Sequence, residues 1–227
     1  MSMAVEQANA FRRIWQAFRA VHRVADGRHD TDDWRDHDGV YAVCVIRVPA
    51  TVLQPNLDRL RSSLSAYPFV RLHPDGFLHI SLQELGFVCD HPGREDEVSP
   101  TRLEEFVGMA VAPIADQPCF EVTLGGGNSF EDAAFLDVHD GGLCARLHAR
   151  LFELAAIPQA PDYPFVPHAT VAHYTSDAPS LHLAASIAPW RNVEFGTFKV
   201  ERIEVVTMRL DEPYPPMETY AVLPLRP

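Results

Sequence analysis

Lysine is almost missing from this chain. Lys199 is the only one among 19 basic residues, and 31 acidic residues bring the formal net charge to −12. That balance excludes broad, sequence-independent binding to long duplex nucleic acid, which needs many Lys and Arg contacts to phosphates. It leaves room for a small anionic substrate in a pocket made locally basic by arginine, the better residue for two-pronged phosphate contacts. Cysteine is scarce too. Cys44, Cys89, Cys119 and Cys144 are scattered with no C-x-x-C pair, so reduced, packed thiols in a cytoplasmic protein are expected. No apolar run reaches the length of a membrane-spanning helix, and the first seven residues lack the basic-then-apolar order of a signal peptide. There is no H-E-x-x-H or comparable ligand spacing, so a metallohydrolase is disfavoured. The run Gly125-Gly126-Gly127 follows a strand-like stretch but lacks the downstream Gly-Lys-Ser/Thr of a phosphate-binding loop, and reads as a turn or bulge.

What is present suits a globular protein. The 227 residues, 47% apolar and 22% charged, are enough for one domain or two small lobes with a real core. Residues 8–24 read as an amphipathic helix, with Phe11, Ile14, Trp15, Phe18 and Val21 at helical spacing. A charged segment from Asp26 to Gly39 follows and is expected to be mobile. Residues 1–38 are therefore an extension, and residues 39–227 the main domain.

That domain reads as one unit used twice. Residues 41–48 form an apolar strand, Leu53, Leu57, Leu60 and Leu64 mark a helix, and a second strand starts near residue 78. The same order recurs with a strand at 134–138, a helix carrying Leu143, Leu147, Leu151 and Leu154, and a strand near 168. The similar spacing supports an internal duplication. Further strands are expected at 119–124, 195–200, 202–209 and 219–225, and a helix at 101–114. Pro213-Tyr214-Pro215-Pro216 reads as the turn between the last two strands. The class is α+β with largely antiparallel sheet and helices packed on it.

Two segments carry the chemistry: Phe77-Leu78-His79-Ile80-Ser81-Leu82 and Val166-Pro167-His168-Ala169-Thr170-Val171. A strand repeats its side-chain direction every two residues, so His79 and Ser81 share a face, as do His168 and Thr170. Histidine followed two residues later by Ser or Thr also occurs at His29 and His173, but in polar surroundings. Only His79 and His168 have apolar residues on both sides. Two imidazoles and two hydroxyls across a cleft would supply a base, an acid and two hydrogen-bond donors to a phosphate.

These two segments, with Phe195-Gly196-Thr197-Phe198-Lys199-Val200, resemble the paired signatures of the two-histidine (2H) phosphoesterases, the proteins related to bacterial 2'-5' RNA ligases and cyclic nucleotide phosphodiesterases. The resemblance covers roughly residues 40–225. It implies a bilobal fold with pseudo-twofold symmetry, two largely antiparallel sheets flanking a central cleft, and helices packed outside. It implies catalytic histidines at His79 and His168, phosphate-binding hydroxyls at Ser81 and Thr170, and no metal or other cofactor. The expected activity is opening of a 2',3'-cyclic phosphate or action on 2'-5' linked ribonucleotides or RNA ends. A nucleotide- or RNA-end-binding protein using the same cleft is the alternative. The partner is then a small nucleotide or RNA end, with no extended nucleic-acid surface and no membrane. Tyr174 and Phe165, flanking the second motif, are candidates for stacking on a base. His173 stands where Arg or an aromatic residue is commoner in the family.

Overall fold

A computed structural model of the protein describes residues 3–37, 39–155 and 164–227. The chain opens with α1 (Met3–Ala20), β1 (Arg23–Val24) and α2 (Asp32–Arg35). The first repeat follows as β2 (Val40–Arg47), α3 (Asn56–Leu64), β3 (Val70–Leu72) and β4 (His79–Val88). Then come β5 (Glu97–Val98), α4 (Pro100–Ala115) and β6 (Phe120–Ser129). The second repeat is β7 (Ala133–His139), α5 (Leu143–Ala155) and β8 (His168–Tyr174). The chain ends with β9 (Ala178–Pro179), α6 (Leu181–Ile187), β10 (Glu194–Val200), β11 (Arg202–Met208) and β12 (Glu218–Pro224).

The strand order is β10-β6-β7-β8-β4-β2-β11-β12. Read from its middle, this order is two antiparallel four-stranded halves placed back to back. In each half the motif strand is innermost, and the strand that begins its repeat lies beside it. The halves meet where β8 and β4 pair, and that junction is a single position, Ile80 opposite Ala169. Short strands extend the two innermost ones: β3 pairs antiparallel with β8, and β5 parallel with β4. A separate two-stranded ribbon joins β1 to β9.

Local sequence explains the elements. In α3, Leu57, Leu60 and Leu64 recur at helical spacing and are buried. Ser99 caps α4 by accepting from the Arg102 amide, Pro100 occupies the first turn, and Leu103, Phe106, Ala110 and Ile114 line its buried face. α5 lies against β4 and α4, α4 against β12, and α3 against α6. In β2, alternate residues serve two different clusters. Ala42, Cys44 and Ile46 join the main core, while Val43 and Val45 join Phe77, Val206, Met208 and Met217 in a smaller cluster on the opposite face. That second face is the one that carries His79.

Two expectations need correcting. The first helix starts earlier and ends at Ala20, because Arg23 and Val24 pair with Pro179 and Ala178. The charged segment expected to be mobile is packed. Trp34 meets the rings of Tyr41 and Phe87 at 5.1 and 5.4 Å, and Asp30 accepts from Arg71 at 3.0 Å. The three glycines take the bulge, one of the two forms expected of them: β6 continues through them to Ser129 with a register shift between Leu124 and Gly127. Gly126 has φ of +83°, and a Cβ there would sit 2.7 Å from the Asp137 carboxylate. A side chain would therefore be excluded on two grounds.

α1 packs on the second half. Phe11 and Phe18 are buried, and the Phe11 ring approaches Phe135 and His139 of β7. Asn128 of β6 donates to the Phe11 carbonyl at 3.1 Å.

Candidate active site

His79 and His168 open their respective strands. Along each motif, exposure alternates: His79 and Ser81 are half-exposed while Ile80 and Leu82 are buried, and His168 and Thr170 are half-exposed while Ala169 and Val171 are buried. This is the period-two pattern of a strand with one wet face. Continuing the antiparallel register from Ile80 opposite Ala169 sets His79 across from Thr170 and Ser81 across from His168. The two histidines then occupy one diagonal of a four-residue patch and the two hydroxyls the other. Diagonal neighbours of this kind lie roughly 7–8 Å apart in a regular sheet.

The two imidazoles are held the same way. His79 Nδ1 lies 2.7 Å from the Phe77 carbonyl and His168 Nδ1 lies 2.8 Å from the Val166 carbonyl, each two residues back along the chain. A carbonyl can only accept, so Nδ1 carries the hydrogen and Nε2 is left outside that bond, with its lone pair in the neutral ring. Aromatic edges fix the ring planes. Phe77 meets His79 at 5.3 Å, while Phe130 and Phe135 meet His168 at 5.0 and 5.3 Å.

Their electrostatic surroundings differ. Burial pushes His79 down to about 4, against the pull of its bond to Phe77, and the nearby His168, His29 and Arg47 push the same way. Burial also lowers His168, but its bond to Val166 and the charge of Asp132 oppose the shift. The cross-strand neighbours differ in sign as well. Arg47 stands opposite His79, and Asp137 opposite His168. Arg47 donates to Glu204 at 2.7 Å and to the Met217 carbonyl at 2.8 Å. Asp137 accepts from Arg191 at 2.9 Å and from Asn128 at 2.8 Å.

Tyr174 and Phe165 do not reach this patch. Tyr174 is fully buried, its hydroxyl lies 2.5 Å from that of Ser129, and it belongs to the main core. The register shift between Ala134 and Phe135 reverses which way β8 presents its later side chains, so it is His173 that turns to the cleft side. Phe165 stacks on His148 of α5 at 4.0 Å, and His148 in turn bonds the Leu82 carbonyl, which places Phe165 in the helical layer. His173 is buried beside His73, with 3.1 Å between their ring nitrogens, and His29 and Tyr214 cover the pair. Among the described residues no group of three or more His, Cys, Asp or Glu is arranged to hold a metal ion.

Sequence reading missed Arg47 and Asp137. Each is the single charged residue in a buried strand, and each lies two pairing positions from a residue opposite a motif hydroxyl. That signal appears only once the register is known.

The 2'-5' RNA ligase superfamily model matches residues 49–212. No curated protein matches the chain. Among solved structures, TT0787 of Thermus thermophilus superposes with a TM-score of 0.60 at 20% identity, covering 82% of this chain and 98% of its own. E. coli LigT complexed with ATP gives 0.61 at 17% identity, covering 84% and 100%. LigT complexed with 3'-AMP gives 0.60 at 16%, covering 83% and 99%. These likenesses establish the fold. The family match spans most of the chain, from the end of β2 through the turn before β12 and across both histidine motifs, and the protein therefore belongs to the 2'-5' RNA ligase superfamily.

Proposed function

We propose that the protein is a metal-independent phosphoesterase that opens 2',3'-cyclic phosphates, or acts on 2'-5' linkages, at the end of a small ribonucleotide. The observation that carries this reading is the seam at Ile80 and Ala169. It brings two histidines and two hydroxyls onto one face, each histidine pinned through Nδ1 with Nε2 presented. Family membership supports the reaction class, and LigT has been crystallised with 3'-AMP and with phosphate.

The chemistry needs no further group. The cyclic phosphate sits between the two imidazoles. One neutral imidazole takes a proton from water through Nε2 as the water oxygen bonds to phosphorus. The other, protonated at Nε2, gives its proton to the departing ribose oxygen as the phosphorus–oxygen bond breaks. Ser81 and Thr170 donate to the non-bridging oxygens as negative charge grows on them. The unequal surroundings support one division of roles in hydrolysis. His79, pushed towards its neutral form by burial and neighbouring cations, is the base. His168, with Asp132 favouring its cation, is the acid.

The test is turnover of 2',3'-cyclic nucleotides in excess EDTA. Undiminished hydrolysis is the expected result. Tight binding of these nucleotides with no turnover, with or without added divalent ions, would instead identify a nucleotide-binding protein that uses the same cleft.

A further inference from the structure

In a chain of net charge −12, the His79 side of the patch carries a local positive surplus. Arg47 and Arg202 both bind one carboxylate, that of Glu204, at 2.7 and 3.0 Å, and Thr219 donates to the same group at 2.9 Å. Glu204 is buried. Burial raises its pKa, but the bonds from Arg47, Thr219 and Arg202 outweigh that and keep it ionised. Two guanidinium groups therefore share one negative charge.

Arg47 is also set in place before any ligand arrives. Nε is held by Glu204 and Nη2 by the Met217 carbonyl, while Nη1 has no partner among the described residues. A third of the side chain is exposed. The residue lies directly across from His79, on the same face of the sheet, close enough for its charge to bear on that imidazole. The corresponding position in the other half offers the opposite. Asp137 is an anion, almost wholly buried, and locked to Arg191. Beyond the reacting phosphate, a second anion can be received on the Arg47 side of the patch and not on the Asp137 side.

We propose that Arg47, anchored by Glu204, forms a second phosphate subsite next to the reacting one. The substrate class is then a nucleotide with a cyclic phosphate at one end and a further phosphate on the 5' side of the same nucleoside. A mononucleotide 5'-phosphate and an internucleotide linkage share that chemistry. A fixed guanidinium with an open N–H suits a phosphate oxygen better than a flexible ammonium does. This rests on the hydrolase reading for its reaction but not for its test.

The test is calorimetric titration with 3'-AMP, adenosine 3',5'-bisphosphate and a dinucleotide ending in a 3'-phosphate. The unaltered protein should bind the bisphosphate and the dinucleotide about tenfold more tightly than 3'-AMP, the scale of one charge-assisted hydrogen bond. A gain confined to the bisphosphate identifies a 5'-phosphate monoester as the ligand, and a gain for the dinucleotide extends the class to internucleotide linkages. Arg47→Gln should remove most of the gain, and Arg47→Lys should keep part of it. The double change Arg47→Gln with Glu204→Gln also removes the buried charge that Arg47 helps to neutralise, so the question can be put even where the single variant does not fold. Equal affinity for all three ligands, binding of none, or a preference that survives loss of Arg47 overturns the subsite. Failure to hydrolyse 2',3'-cyclic AMP with the preference intact defeats the hydrolase reading and leaves the subsite standing.

Discussion

The two halves of the site carry the same device in different surroundings. Each has a histidine at the start of a strand, a carbonyl two residues back that fixes its tautomer, and a hydroxyl two residues on. Beyond that the likeness ends. The His79 half backs onto the small cluster around Val43, Val45 and Met208, with an arginine alongside. The His168 half is covered by α1 and has a buried aspartate alongside. Duplication thus accounts for two imidazoles held alike, each through Nδ1. Their divergence gives the two rings unequal surroundings, and the proposed acid and base roles need such a difference in protonation at one pH.

The severest test of that comparison is to remove one member at a time. His79→Ala and His168→Ala should each reduce kcat for a 2',3'-cyclic nucleotide on the order of a thousandfold, the range of a general acid or base. The double variant should be little worse than either single one, because the pair acts as a unit. A near-normal rate in either single variant would break the assignment of paired roles.

The pH profile sharpens the comparison. His79 must be neutral to act as base, so kcat/KM should rise as pH increases through about 4, where the free enzyme's His79 loses its proton. His168 must be protonated to act as acid, and its pKa is also depressed, so the rate should fall again below the ordinary imidazole range near 6.5. The expected profile is a bell with its maximum on the acid side of neutrality. A profile that climbs steadily to pH 9 would reject this division of roles.

The smallest effect is expected at Tyr174, where a functional and a packing role predict different readouts. Tyr174→Phe deletes the hydroxyl that meets Ser129 and should cost about 1 kcal/mol of stability in urea unfolding. KM should stay the same. A KM that rises severalfold, with stability unaltered, would return Tyr174 to the substrate.

Much of this was legible in the sequence, for physical reasons. Alternation around His79 and His168 marks half-wet strands directly, and the leucine spacing of α3 and α5 marks helices directly. Ser81 and Thr170 follow from the same period. What could not be read depends on contacts between distant segments. Tyr174 turns away because of a bulge set by its neighbour β7, and whether the glycines end β6 or bulge within it depends on pairing with that same strand. Arg47 looks like the polar end of a strand until β11 brings Glu204 beside it. The segment around Trp34 looks solvated until Tyr41 and Phe87 are seen to cover it.

The strand order also sets a timetable for folding. The half that holds His168 is built from β6, β7, β8 and β10, a nearly unbroken stretch of chain. The half that holds His79 begins with β2 but is finished by β11 and β12, and Arg47 and Glu204 stand 157 positions apart. Closing so long a loop is entropically slow, and contacts of this kind retard folding. The His168 half can thus form as soon as β10 is made. The His79 half waits for the C-terminal hairpin, and until that hairpin docks, β2 offers an open edge to any other strand it meets.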